Sequence, residues 1–437
     1  MPAPRPNALI VAGLALLLSG AASGSVAARQ PAAQSGEDWP QWRGPRRDGV
    51  STETGLLASW PEGGPPKVWT GSGLGIGLSS VAVAGGRVYT MGDRSGGQFV
   101  IALDDADGRE VWATRVGDRL QADYSGPRST PTVAGDRLFV VTTSGDLVSL
   151  ETSTGRVAWR KSLPREFGGR MMSSWHFSES PLVDGDRVVV TPGGPRAGMV
   201  ALEAATGREV WRATIPSFGR EGRDGAGYAS IVVSNGGGVK QYVQLMGRGL
   251  VSVRASDGWF MWGYDRVANG TANITTPVVS GDLVFGSSSY GAGSALLRLA
   301  PAAENRVAAT EQYFLDRVEN HHGGVVLVDG FLYGGHGLRN GFPVCVEIAT
   351  GRSCWGQMRG AGTGSAAVAA ADGHLYFRYE DGTMALIEAN PRQYVLKSRF
   401  EIPDVRQPSW PHPVIAHGRL YLREQDALHV YDIRRER

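Results

Sequence analysis

The stretch Ala201-Leu202-Glu203-Ala204-Ala205-Thr206-Gly207-Arg208-Glu209-Val210-Trp211 decides the fold. Its second half is a polar residue, a Gly turn, then Trp four residues after the Gly. The phrase occurs also as Asp107-Gly108-Arg109-Glu110-Val111-Trp112 and Thr154-Gly155-Arg156-Val157-Ala158-Trp159. It returns as Asp257-Gly258-Trp259-Phe260-Met261-Trp262 and Thr350-Gly351-Arg352-Ser353-Cys354-Trp355. A fixed Gly-to-Trp offset repeated along one chain is the signature of an array, a solenoid or a propeller.

A second element recurs at about 43 to 53 residues. Eight short strands follow small-residue turns, beginning near Arg87, Arg137, Arg187, Lys240, Asp282, Phe331, His374 and Arg419. That spacing suits one four-stranded blade per repeat. Around each, apolar residues alternate in short runs bounded by Gly, Asp and Ser, and no amphipathic helix stands out. The reading is an all-β, eight-bladed propeller of four-stranded antiparallel blades over residues 39–437. The Gly supplies a left-handed turn and the Trp fills the wedge between blades; an aromatic of this size buries roughly 150–250 Å².

The fifth and seventh repeats lack the phrase, and the eighth stops at Tyr431–Arg437 without a fourth strand. Pro66-Lys67-Val68-Trp69-Thr70 has the look of that missing strand. Pairing it with the C-terminus closes the ring and removes an open sheet edge. Trp69, Trp112, Trp159, Trp211, Trp262 and Trp355 are therefore expected to be structural.

Residues 1–28 read as a signal peptide: Arg5, the apolar run Ala8–Leu18, and Ser25-Val26-Ala27 as a small-residue cleavage site. Residues 29–38 read as a flexible leader. No Cys lies near the cleavage site, which argues against a lipid anchor, and no later stretch is apolar enough to span a membrane. The mature chain is expected to be periplasmic or secreted, and monomeric. A formal charge of +2 gives no field that would draw nucleic acid. Cys345 and Cys354, the two cysteines, flank one turn and would face each other across a hairpin; in an oxidising compartment they are a disulfide pair or two packed thiols.

The repeats resemble the pyrroloquinoline-quinone (PQQ) type propeller repeat, and the opening Trp39-Pro40-Gln41-Trp42-Arg43-Gly44-Pro45 is similar to the start of many exported bacterial members. The resemblance implies one of two functions. Quinoprotein dehydrogenases of alcohols or sugars use PQQ and Ca²⁺, with a tryptophan floor and a catalytic Asp. BamB-type factors keep the shell and bind envelope proteins without chemistry. No adjacent Cys pair is present, and no motif places metal ligands or a base, so the scaffold branch is expected, with no cofactor. The absent lipidation site departs from the BamB pattern. A glycan- or small-ligand-binding propeller is a further alternative.

The segments leading into each innermost strand face the axial channel and are where a ligand could touch several blades. They carry Arg128, Trp175, His176, Tyr228, Asn273, His321, His322, Trp410 and His412. One reading is a polar pocket, with Arg128 holding an anion and Trp175 or Trp410 offering a stacking face. The other is a ring of hydrogen-bonding wall residues. By repeat alignment His176 and His321 are expected at equivalent positions, and the adjacent His321 and His322 are expected to point oppositely. The loops 164–170 and 220–224 are either partner contacts or, being mixed in charge, plain solvated loops.

Overall fold

The computed structural model describes residues 1–3, 36–119, 123–406 and 408–435. The expected signal peptide and leader lie outside these, apart from their ends. Among the described residues no helix is long and apolar enough to cross a membrane. The chain separates into a unit Met1–Gln34 and a unit Ser35–Arg437, and only the second is described further.

That unit is an eight-bladed propeller. Seven sheets have four antiparallel strands, at 82–117, 132–162, 182–213, 232–264, 278–315, 366–401, and 414–432 together with Lys67–Gly71. Lys67–Gly71 pairs antiparallel with Ala427–Asp432, with Trp69 opposite Val430, so an N-terminal strand closes the ring as the sequence predicts. One short helix, Leu163–Phe167, and two 3₁₀ turns are the described helical elements.

The sixth blade, 325–347, has three strands rather than four. Its outer edge begins a ladder: Cys354 N–H donates to Cys345 O, and Glu347 N–H to Arg352 O. Alternate residues face that edge, so Pro343 is next and has no N–H to offer. The chain leaves the sheet there after a single bridge between Val346 and Ser353.

The repeated phrase is a joint between blades. Each Gly has positive φ, from 70° at Gly155 to 75° at Gly108, and the indole of the preceding blade lies against it. Trp69 sits on Gly108, Trp112 on Gly155, Trp159 on Gly207 and Trp211 on Gly258. Each indole N–H also donates to a backbone carbonyl of that neighbouring turn, at 3.0 Å for Trp112 to Thr152 and 2.9 Å for Trp159 to Ala204. Trp262 instead donates to Gln241 Oε1 within its own blade. The polar residues of the phrase brace the turn: Glu151 accepts from Thr154 and Arg156, and Glu203 from Thr206 and Arg208.

The two deviant blades fill the same slot differently. In the fifth, Tyr313 lies on Gly351 and its hydroxyl donates to Ile348 O. In the seventh, Ser398 occupies the position, and Trp60 comes from the N-terminal segment to fill the space. The Trp60 backbone N–H donates to Ser398 Oγ, and its ring packs edge-on against Phe400.

The opening Trp39–Val50 runs across the ring. Trp39 bridges to Val83 of blade one, and Pro40 accepts from Val133 of blade two. Arg47 donates to Ser180 O and Pro181 O of blade three, and Trp42 to Thr276 Oγ1 of blade five. Arg43 donates to Val325 O of blade six, and Gly49 accepts from Ala370 of blade seven. A segment that reaches so many blades lies across their common axis and closes one end of it. Arg43 and Arg47, both 3% exposed, are the pegs of this plug.

Candidate functional site

Above the plug is a cavity of about 230 Å³. It is lined from the segments that lead into the inner strands, which identifies it as the axial channel. Trp42, Arg43 and His412 form the floor. The half-buried Trp175 and Trp410 and the buried Tyr228 form the wall, with Tyr124, Tyr290 and Arg339 at the exposed mouth.

Seven of the nine candidates meet here: Arg128, Trp175, Tyr228, His321, His322, Trp410 and His412. Two do not. Asn273 is wholly buried, donates to Met246 O and Gly247 O, and accepts from Asn269, so it staples a loop. His176 lies outside the lining. Counted back from the hairpins Asp184–Arg187 and Val328–Phe331, His176 matches Asn320, not His321. One residue of slip in the approach to blade three breaks the expected equivalence. His321 and His322 also differ from expectation. They precede the strand Val325–Val328 rather than lying in it, and their rings are 3.9 Å apart.

The site is a network of rings. Trp175 meets Tyr228 at 65°, Trp410 meets Tyr124 at 49° and His322 at 55°, and Trp42 meets His412 at 57°. His321 is held at both nitrogens, by Ser365 Oγ and Tyr290 hydroxyl, each at 2.8 Å. Burial, aided by Arg339, pushes its imidazole down to about 4, so it is neutral at pH 7 and carries one N–H. Burial pushes His412 down to about 3, with Arg43 adding to the effect.

The charge on the lining is lopsided. Arg43, Arg128 and Arg339 face one carboxylate, Glu380, which accepts from Ser365 N–H. Arg128 donates to Trp175 O at 2.8 Å and to Tyr124 O, both neutral partners. Burial lowers Arg43 to about 10, still cationic at pH 7. Among the described residues Arg43 Nε and Nη1, Trp410 Nε1 and His412 Nδ1 are buried with no hydrogen-bond partner. The Arg43 and Trp410 atoms are donors, whereas His412 Nδ1 is an acceptor because Nε2–H is donated to His322 O, and unpaired buried polar atoms of either kind are costly.

The family described as outer membrane protein assembly factor BamB matches residues 97–357. The chain belongs to this family. The matched region spans all five copies of the Gly-to-Trp phrase. A polyvinylalcohol dehydrogenase from a Pseudomonas species is 33% identical over 94 residues, 21% of this chain and 14% of that enzyme, so the match spans only a small part of that relative. A europium-containing methanol dehydrogenase superposes with TM-score 0.65 at 11% identity, over 88% of this chain and 89% of that one. Quinohemoprotein alcohol dehydrogenase from Comamonas testosteroni gives 0.63 at 11%, over 92% and 81%. Identities this low establish a shared fold and nothing about activity.

The residues present do not fit a Ca²⁺-bound quinone. Among the described residues no three His, Cys, Asp or Glu side chains stand together to hold a metal, and the pocket lining offers Glu380 as its one carboxylate. Trp42, Arg43, Tyr290 and Arg339 are pocket residues that sequence reading passed over. Trp42 and Arg43 were visible only as part of an opening motif, and the other two sit in the turns between the second and third strands of blades five and six. Cys354, which follows the last strand of its blade, donates its backbone N–H to Cys345 O, and Cys345 is pushed up to about 12 by burial and the neighbouring thiol.

Proposed function

We propose that this chain is an exported binding propeller of the bacterial envelope, without chemistry of its own, whose small-molecule site is the blind axial pocket. The observation that carries this reading is the pocket itself: a plugged, ring-lined cavity with three guanidiniums, unspent buried donors and one carboxylate. Such convergence of polar groups in an aromatic concavity is the usual form of a ligand site. Family membership supports a role in binding other envelope proteins. The loops singled out for that role border a separate groove lined by Ile215, Phe218 and Met246, where Asp224 pairs with Arg170 and Arg248.

The test is direct. Purified mature protein is mixed with PQQ and Ca²⁺, desalted, and examined for quinone absorbance and for dye reduction with simple alcohols or sugars. No retained quinone, together with recovery of an envelope partner, is the expected result. Retained quinone with dye reduction sinks the proposal in favour of a quinoprotein oxidoreductase. The 33% match to the polyvinylalcohol dehydrogenase is the observation that keeps that second reading in play.

A further inference from the structure

We propose that the axial pocket takes a hexuronate, the carboxylate-bearing terminal sugar of an acidic glycan. This rests on the reading above that the pocket binds a small ligand.

Three features of the cavity point to this class. The first is size. About 230 Å³ falls below the roughly 300–1,000 Å³ of sites for drug-sized ligands, and suits one sugar ring better than a fused tricyclic system. The second is ring geometry. Neighbouring rings of the lining meet at 32° to 78°, so they make a cage of tilted faces and edges, not a parallel slot for a flat aromatic. A pyranose presents apolar C–H faces and equatorial hydroxyls together, and such a cage matches both.

The third is charge. Among the described residues none of Arg43, Arg128 and Arg339 is in a salt bridge, although all three line the pocket. Arg43 is a buried cation aimed into the floor with Nη1 unpartnered. Arg339 stands exposed at the mouth. Guanidinium groups without carboxylate partners favour an anion of planar, two-oxygen geometry. Hydroxyl recognition comes from Tyr290, whose phenol is fixed by His321 and through it by Ser365, from the unpaired N–H of Trp410, and from the Nδ1 lone pair of His412, whose N–H is donated to His322 O. A neutral His321 gives this chain a single donor–acceptor direction, which reads a hydroxyl without adding charge.

The experiment is calorimetric titration of the mature protein with D-glucuronate and D-galacturonate, with D-glucose as the neutral probe and PQQ as the flat anionic probe. At least one uronate is expected to bind about 10-fold or more tightly than glucose. Arg339→Gln, an exposed change that leaves the unfolding midpoint in place, should weaken uronate binding about 10-fold and leave glucose unaffected, as expected for loss of a charge-assisted contact. Tyr290→Phe should weaken uronate and glucose alike. Uronates binding no more tightly than glucose, or an Arg339→Gln variant with unchanged uronate affinity, overturns the inference while the ligand-binding reading stands. PQQ binding in place of uronate overturns it too, and together with dye reduction overturns both readings.

Discussion

The indole of Trp112 lies flat over Gly155 of the next blade, and its N–H donates to Thr152 O in the same turn at 3.0 Å. Gly155 is needed twice over: its φ is 70°, and a Cβ there would come 2.5 Å from the ring.

Gly155→Ala should therefore cost more than a left-handed turn alone. The backbone strain is roughly 1–2 kcal/mol, and forcing the indole away adds about 1–3 kcal/mol. Gly185 has φ 63° with nothing within 4 Å of its Cβ position, so Gly185→Ala carries only the first term. Urea unfolding of the two variants should show a clearly lower midpoint for Gly155→Ala. Equal midpoints would mean that the indole is not held against the turn.

Trp69→Ala tests closure. Trp69 is 8% exposed, packs on Gly108 and donates to Asp105 O. Emptying such a slot costs about 3–5 kcal/mol. Because Lys67–Gly71 is the seam of the ring, limited proteolysis should then cut first near that strand. Cleavage elsewhere at the wild-type rate would show that the seam is not the weak point.

The seam also carries a titrating latch. Asp105 of blade one, fully buried, is bonded by His417, Tyr421 and Arg419 of blade eight, and His417 reaches on to Asp38. Burial alone would raise Asp105, but these partners hold it below its ordinary 3.8. Its stabilisation is present above that value and lost as pH falls through the lower folded value. The bond to Asp105 raises His417 above its ordinary 6.5. That stabilisation is complete below 6.5 and lost as pH rises through the higher folded value. The gap in unfolding midpoint between wild type and His417→Gln should thus be widest near pH 5 and shrink by pH 9. A gap independent of pH would rule out the latch.

Arg43→Ala should loosen the plug. Two backbone carbonyls, Asp48 O and Val325 O, lose their shared guanidinium. An acceptor left unsatisfied in a buried site costs roughly 1–3 kcal/mol. Arg43→Lys should recover only part of this, since both bonds leave the far nitrogen Nη2 and the shorter lysine stem does not carry its ammonium as far. Full recovery of stability by Lys would show that charge, not geometry, holds the segment.

The blade count and the closing strand were legible because Gly-to-Trp spacing is set by local turn geometry, which repeats in sequence as it does in space. The substitutes were not. Tyr313 answers the same need without the phrase, and Trp60 fills blade seven from more than 300 residues away, so only the folded chain brings it to Ser398. The pocket was half legible. Small and polar residues before each inner strand pointed to the channel, and the structure sets Arg128, Trp175 and Trp410 among the residues that line the cavity. His176 failed because one residue of slip in a loop moves a side chain off the axis, and loops keep no register. Arg339 and Tyr290 sit in corresponding turns between the second and third strands of adjacent blades, and those turns differ in length and residues, so nothing in the sequence marked them as part of the site.

The plug has a consequence for the order of folding. Trp39–Val50 finds its partners on blades that stretch to Ala370, and Lys67–Gly71 finds its partner in Ala427–Asp432. The first stretch of the propeller to be synthesised is thus the last able to settle. Blades can form one after another from local hairpins, but the N-terminal segment has no home until the ring is nearly complete. Its docking is a late, long-range event that ties several blades together at once, and a chain cut short at its C-terminus would hold its opening residues loose.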